Sequence, residues 1–162
     1  MRVIPHRFKL QPAAVKGESF SFAPVEQQLG DYRELVVTLE ITAAECGNED
    51  ETYDFYIVTE NRAEARWDLV HFAQIVSDEA YSLVARIHKD LLPQQVTTAG
   101  PGAAYVESGT LAVATGQLNA IKSLAAGRVR HGPWGDKIGY ELVVAGAVAP
   151  SIAYSISVEA RY

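Results

Sequence analysis

The chain predicts an all-β fold: an antiparallel β-sandwich, jelly-roll or immunoglobulin-like, with an extended N-terminal arm and at most one short helix. Three observations carry this expectation. Near the C-terminus Ile152, Tyr154, Ile156 and Val158 alternate with Ala153, Ser155, Ser157 and Glu159, the period of a strand with one packed face and one wetter face. The same alternation recurs along the chain. Turn signals separate the runs, which gives about seven or eight strands and little helix.

The 162 residues suit one domain of ordinary size, and a hydrophobic content of 48% supplies a core. Residues 1–17 show no clean period and are interrupted by Pro5, Pro12 and Gly17. Their cations, Arg2, Arg7, Lys9 and Lys16, meet no acidic residue within the segment, which reads as the extended arm. Residues 18–162 then form the single sandwich domain. Ser19–Pro24 is the first strand candidate. Leu35, Val37, Leu39 and Ile41 alternate with Val36, Thr38, Glu40 and Thr42 in a firm second strand. After an acidic loop from Glu45 to Glu51, Tyr53, Phe55 and Ile57 alternate with Asp54, Tyr56 and Val58, and the aromatic and β-branched content supports a strand. Next, Trp67, Leu69, His71, Ala73 and Ile75 share one face, opposite Asp68, Val70, Phe72 and Gln74. Ala80–His88 follows, with Tyr81, Leu83, Ala85 and Ile87 on one side.

The stretch Lys89–Ser108 holds Pro93 and Gly100-Pro101-Gly102 and reads as a long loop. Gly109–Ala114 is a short strand candidate. The spacing of Leu118, Ile121 and Leu124 within Gln117–Ala126 suggests the one helical turn. A turn-rich segment then leads to two closing strands, 138–144 and 150–158, which read as a pair joined by a short turn.

Composition excludes several classes. The net charge is −6, and 14 basic residues are scattered among 20 acidic ones, which argues against a nucleic-acid partner. No apolar run reaches about 18 residues, so no membrane span is expected. The first residues lack the apolar core of a secretion signal. The lone cysteine, Cys46, leaves no internal disulfide and fits assembly in a reducing cytoplasm.

No pattern calls for catalysis. His6, His71, His88 and His131 lack the close spacing that builds a local metal site, and His71 fits a partly buried, hydrogen-bonded ring. Among the residues of the acidic loop only Gly47 and Asn48 resemble a calcium pattern, so a solvated loop is expected. Cys46 sits among glutamates, which raise a thiol's pKa and make it a poor nucleophile. There is no Gly-x-Ser-x-Gly elbow and no phosphate-cradling glycine loop. The chain is therefore expected to be no enzyme, with no catalytic residue, no metal and no cofactor.

The most unusual segment is Arg128-Val129-Arg130-His131-Gly132-Pro133-Trp134-Gly135-Asp136-Lys137. Trp and Arg are the residue types that most often anchor interfaces. Three readings stay open for Trp134: a cap on the sandwich core, a protein interface, or a stacking platform for a sugar. The expected interface set is Arg2, Arg7, Lys9, Lys16, Arg128, Arg130, His131 and Trp134.

The order of these runs, Leu35–Ala44, Thr52–Thr59, Trp67–Phe72, Ile138–Val144 and Pro150–Val158, resembles small β-sandwich virion proteins of tailed bacteriophages, many of them capsid decoration or cement proteins. The likeness covers roughly residues 34–162, and the long Lys89–Arg128 insertion departs from its shortest members. It implies a structural virion subunit on the capsid surface, assembled in the host cytoplasm. It further implies the major capsid protein as partner, with self-association as a dimer or trimer, and no nucleic acid or membrane. The alternative is a non-enzymatic glycan- or receptor-binding sandwich of a tail fibre or head spike, suggested by Trp134, Tyr105 and Tyr56. An enzyme of the jelly-roll metal class would need clustered histidine and carboxylate ligands.

Overall fold

The computed structural model describes residues 4–21, 25–47, 50–62, 64, 66–90, 94–98, 105–110, 124–146 and 148–162, with the backbone alone at 81, 94–98 and 105–110. In chain order the strands are β1 (His6–Lys16), β2 (Phe20–Ser21), β3 (Val25–Glu26), β4 (Glu34–Ala44), β5 (Thr52–Glu60) and β6 (Arg66–His71). They continue with β7 (Tyr81–His88), β8 (Gln94–Thr98), β9 (Tyr105–Thr110), β10 (Arg128–Arg130), β11 (Lys137–Ala145) and β12 (Ile152–Arg161). No helix occurs among the described residues. Of the expected helical turn, residues 117–123 lie outside the described residues, and 124–126 are not helical.

A small sheet runs in the order β1-β12-β4-β7, and a larger one in the order β2-β11-β5-β6-β10-β8-β9 with β3 also on β11. Neighbours pair antiparallel throughout. The sheets face one another in a sandwich-like arrangement. The alternation read in β4 and β12 decides which side faces in. Along β12 the even-numbered residues from Ile152 to Ala160 are buried and the odd-numbered ones partly exposed. Phe55 of β5 meets Tyr154 of β12 edge-on at 4.7 Å between ring centres, and Tyr140 of β11 meets it at 6.1 Å. These rings knit the two inner faces, and the Tyr140 and Tyr154 hydroxyls lie 3.0 Å apart, which satisfies polar tips that burial would otherwise penalise.

Four expectations need correction. First, residues 6–16 of the expected arm form β1, paired along β12 from His6↔Ala160 to Lys16↔Ile152. Two register shifts and Pro12 break the periodicity, so the strand is unreadable as alternation. Second, the expected loop at 89–108 contains β8 and most of β9, which pair with each other. The Gly-Pro-Gly signal at 100–102 falls between two β-prone runs instead of marking the whole stretch as loop. Third, the closing strands are no sheet neighbours: β11 lies on β5 and β12 on β4. The chain crosses between sheets there, with Gly146 at φ +120°. Buried Tyr53 ties this crossing to β5, its hydroxyl accepting from the Ser151 N–H at 2.8 Å. Fourth, Glu51 of the supposedly solvated acidic loop is buried.

Candidate functional site

Polar side chains gather on the outer face of the large sheet, and a β-bulge assembles them. Across β5 and β6, Ile57 faces Val70 but Val58 faces Asp68, so Leu69 is the extra residue. Asp68 and His71 are three apart, which in a regular strand puts them on opposite faces. The bulge brings both to the outer face. The cross-strand rows there run Glu141–Tyr56–His71–Arg128 and Gly139–Val58–Asp68. A groove of about 340 Å³ lies over Tyr56, Val58, Arg66, Trp67, Asp68, Glu141 and Val143.

His71 is buried and held on both sides. Its Nε2 lies 2.8 Å from an Asp54 carboxylate oxygen, and its Nδ1 lies 2.7 Å from the Leu124 carbonyl. The Tyr56 ring stacks on it at 4.0 Å. Burial alone would raise the Asp54 carboxyl, but hydrogen bonds from His71 and Gln74 outweigh this and hold it below the usual carboxylate value. Burial pushes Asp68 the other way, up to about 6; the Glu141 charge adds to the rise, while Arg130 and a main-chain hydrogen bond from Leu124 oppose it. Tyr56 is raised by burial and by the charges of Asp54, Asp68 and Glu141.

Arg130 enters this layer from β10. It is 4% exposed, its Nη1 donates to the Asp68 carbonyl at 2.8 Å, and burial pulls its pKa down to about 10. Its Nε and Nη2 have no hydrogen-bond partner among the described residues.

A second constellation lies at one end of the small sheet. His6 and Phe8 of β1 approach to 5.2 Å between ring centres, His6 and Tyr32 to 6.2 Å, and Tyr32 and Tyr162 to 4.5 Å. Ile4 beside them is 78% exposed and Tyr162 58%. Arg7 pairs with Glu159, and Arg33 with Asp90, while both arginines stay largely in solvent. An open groove of about 510 Å³ crosses the adjoining outer face between Arg7, Lys9, Val36, Thr38, Glu159 and Arg161.

The expected interface set therefore divides. Arg7 and Lys9 are exposed at this end, and Lys16, at the far end of β1, lies over the Phe20 ring at 4.3 Å. Arg2 lies outside the described residues. Arg128 is half-buried on the large sheet. Arg130, His131 and Trp134 are buried within the chain and offer no surface to a partner. Trp134 is the core cap among its three readings: its indole N–H donates to the Leu29 carbonyl at 3.2 Å. Gly135 beside it packs so closely that a Cβ would sit 2.1 Å from the Glu60 carbonyl oxygen. His131 accepts the His88 N–H at its Nδ1, 3.0 Å away. The Tyr105 side chain lies outside what the structure describes. The aromatic end was missed because its members come from four separate stretches. A signal existed: Ile4, His6 and Phe8 alternate in period two.

Cys46 is buried; burial pushes its thiol up, and the charges of Asp78, Glu51 and Glu45 add to that. Among the described residues no group of three or more His, Cys, Asp or Glu side chains is placed to hold a metal ion. Compared with known proteins, the chain matches no family model, no curated protein and no solved structure.

Proposed function

We propose that this chain is a structural virion protein, a jelly-roll or immunoglobulin-like capsid decoration subunit that binds the outer shell and bridges capsid proteins. The observation that supports it best is the exposed aromatic and arginine-bearing end of the small sheet. Aromatic rings and arginines beside open apolar surface are the usual composition of interface anchors. Ile4, His6, Tyr32 and Tyr162 supply the apolar part, and Arg7, Lys9 and Arg33 supply cations toward an acidic capsid surface. Because β1 is pinned along β12, these groups sit on a rigid platform, and little ordering entropy opposes docking. Repetition around a shell then multiplies weak contacts into firm attachment. Self-association as a dimer or trimer belongs to the same proposal and is read by light scattering. The site is the capsid surface of the virion, after assembly in the host cytoplasm.

The test is occupancy of purified particles, imaged by cryo-electron microscopy and quantified by co-sedimentation. Tyr162→Ala with Arg7→Glu is expected to lower occupancy at least tenfold while the free protein keeps its melting temperature within a few degrees. Unchanged occupancy sinks the proposal. Deleting residues 1–16 is the wrong test, because it removes an edge strand.

A second reading, a glycan- or receptor-binding sandwich, draws on the outer groove of the large sheet. There the Tyr56 ring lies beside carboxylates able to accept from sugar hydroxyls. Binding on a glycan array that Tyr56→Ala abolishes favours it over the first.

A further inference from the structure

We infer that Asp68 and His71 form a proton-dependent clamp on the peptide of Leu124, fastening the chain that enters β10 to the outer face of the large sheet. The clamp is a product of the bulge at Leu69, which sets both side chains on one face. Leu124 is buried there, its carbonyl against the His71 Nδ1 and its main chain also hydrogen-bonded to the Asp68 carboxylate.

The chemistry follows from what each partner is able to do. A carbonyl oxygen and a carboxylate oxygen only accept, and His71 has one at each ring nitrogen. Both ring nitrogens must therefore donate, which only the doubly protonated imidazolium does. When the ring gives up a proton, either the Leu124 carbonyl or the Asp54 carboxylate is left facing a lone pair. A buried acceptor without its donor carries a desolvation penalty, so the contact opens. The surrounding charges are Asp54 and Tyr56 from β5, Asp68 on β6 itself, Arg128 and Arg130 from β10, and Glu141 from β11. Gln74 holds the other Asp54 oxygen at 2.7 Å, so Asp54 cannot turn away without losing that bond as well. The His71 arm of the clamp is closed while the ring holds two protons; the Asp68 carboxyl, raised to about 6, accepts from Leu124 most strongly once it is ionised.

The test is nuclear magnetic resonance of the intact chain between about pH 5 and 8, the range in which histidines change charge. His71 ring nitrogen shifts report its protons, and hydrogen exchange at Leu124 and Gly127, corrected for the intrinsic rate, reports the clamp. Both ring nitrogens are expected to carry protons at the acidic end. In Asp68→Asn, which removes the carboxyl's own change of charge, exchange at Leu124 is expected to rise about tenfold as one proton leaves the ring, the effect of losing one hydrogen bond. Adding His71→Gln to Asp68→Asn removes that step. A ring in a single-proton tautomer at the acidic end overturns the inference. So does an exchange step that persists when His71→Gln is added to Asp68→Asn. Should that variant fail to fold, the wild-type ring shifts decide by themselves.

Discussion

The two sheets handle their outer faces in opposite ways. On the small sheet the alternation of β4 and β12 runs long, and outward arginines such as Arg7 and Arg86 stand largely in solvent. Arg7 pairs with Glu159 while its side chain keeps 73% of its exposure. On the large sheet one extra residue, Leu69, interrupts the alternation, and the polar groups it gathers are buried: Asp68 at 8% exposed, His71 at 6%, and Arg130 reaching them from β10 at 4%. Where period-two pairing runs unbroken, as from Ile41↔Tyr154 to Glu34↔Arg161, the outer face presents its charge. A bulge builds a pocketed layer that stores it. Charge in solvent is screened and cheap to rearrange, whereas charge in a dry layer is costly to strand.

The sharpest way to break this contrast is at Arg130. Arg130→Ala leaves the Asp68 region without its cation and is expected to cost about 3–5 kcal/mol in urea unfolding. If it costs no more than a surface change, the large-sheet layer is not the dry one described. Replacing both partners, Arg130→Met with Asp68→Leu, should recover much of that loss, because the stranded charge and the open Nε and Nη2 donors go together.

Next in size is the pH dependence set by Asp68. Its carboxyl is raised in the fold, so the folded state holds the proton more tightly than the unfolded chain. The associated stability is full below about pH 4 and is lost as pH rises through about 6, a change of about 3 kcal/mol. Asp68→Asn should flatten the melting temperature over that window. Asp54 works in the reverse sense: its lowered carboxyl contributes stability above the ordinary carboxylate range, and that is lost under stronger acid. A stability profile between about pH 4 and 7 that is identical in wild type and Asp68→Asn would contradict the assignment.

The smallest effect belongs to the small sheet. Arg7→Ala is expected to cost under about 1 kcal/mol, and that little should fade further in high salt. A loss as large as that at Arg130 would erase the difference between the two faces.

The sequence by itself determined the all-β class and the inward residues of β4, β5 and β12. A strand's side chains alternate by covalent geometry, and burial then selects the apolar row. It also located the Arg128–Lys137 segment as unusual, and it read Cys46 correctly as a thiol raised by its surroundings. Tertiary structure decided the rest. Asp68 joins His71 only because β5 imposes a register that leaves Leu69 unmatched. Trp134 became a core cap only because Leu29, far away in sequence, offers its carbonyl. The closing strands went to opposite sheets because their partners, β5 and β4, are chosen by pairing across the whole chain. The basic N-terminal stretch became β1 because β12 had an open edge. Local pattern reports which way a side chain points along its own strand; which strand lies beside it is a long-range choice that no local window contains.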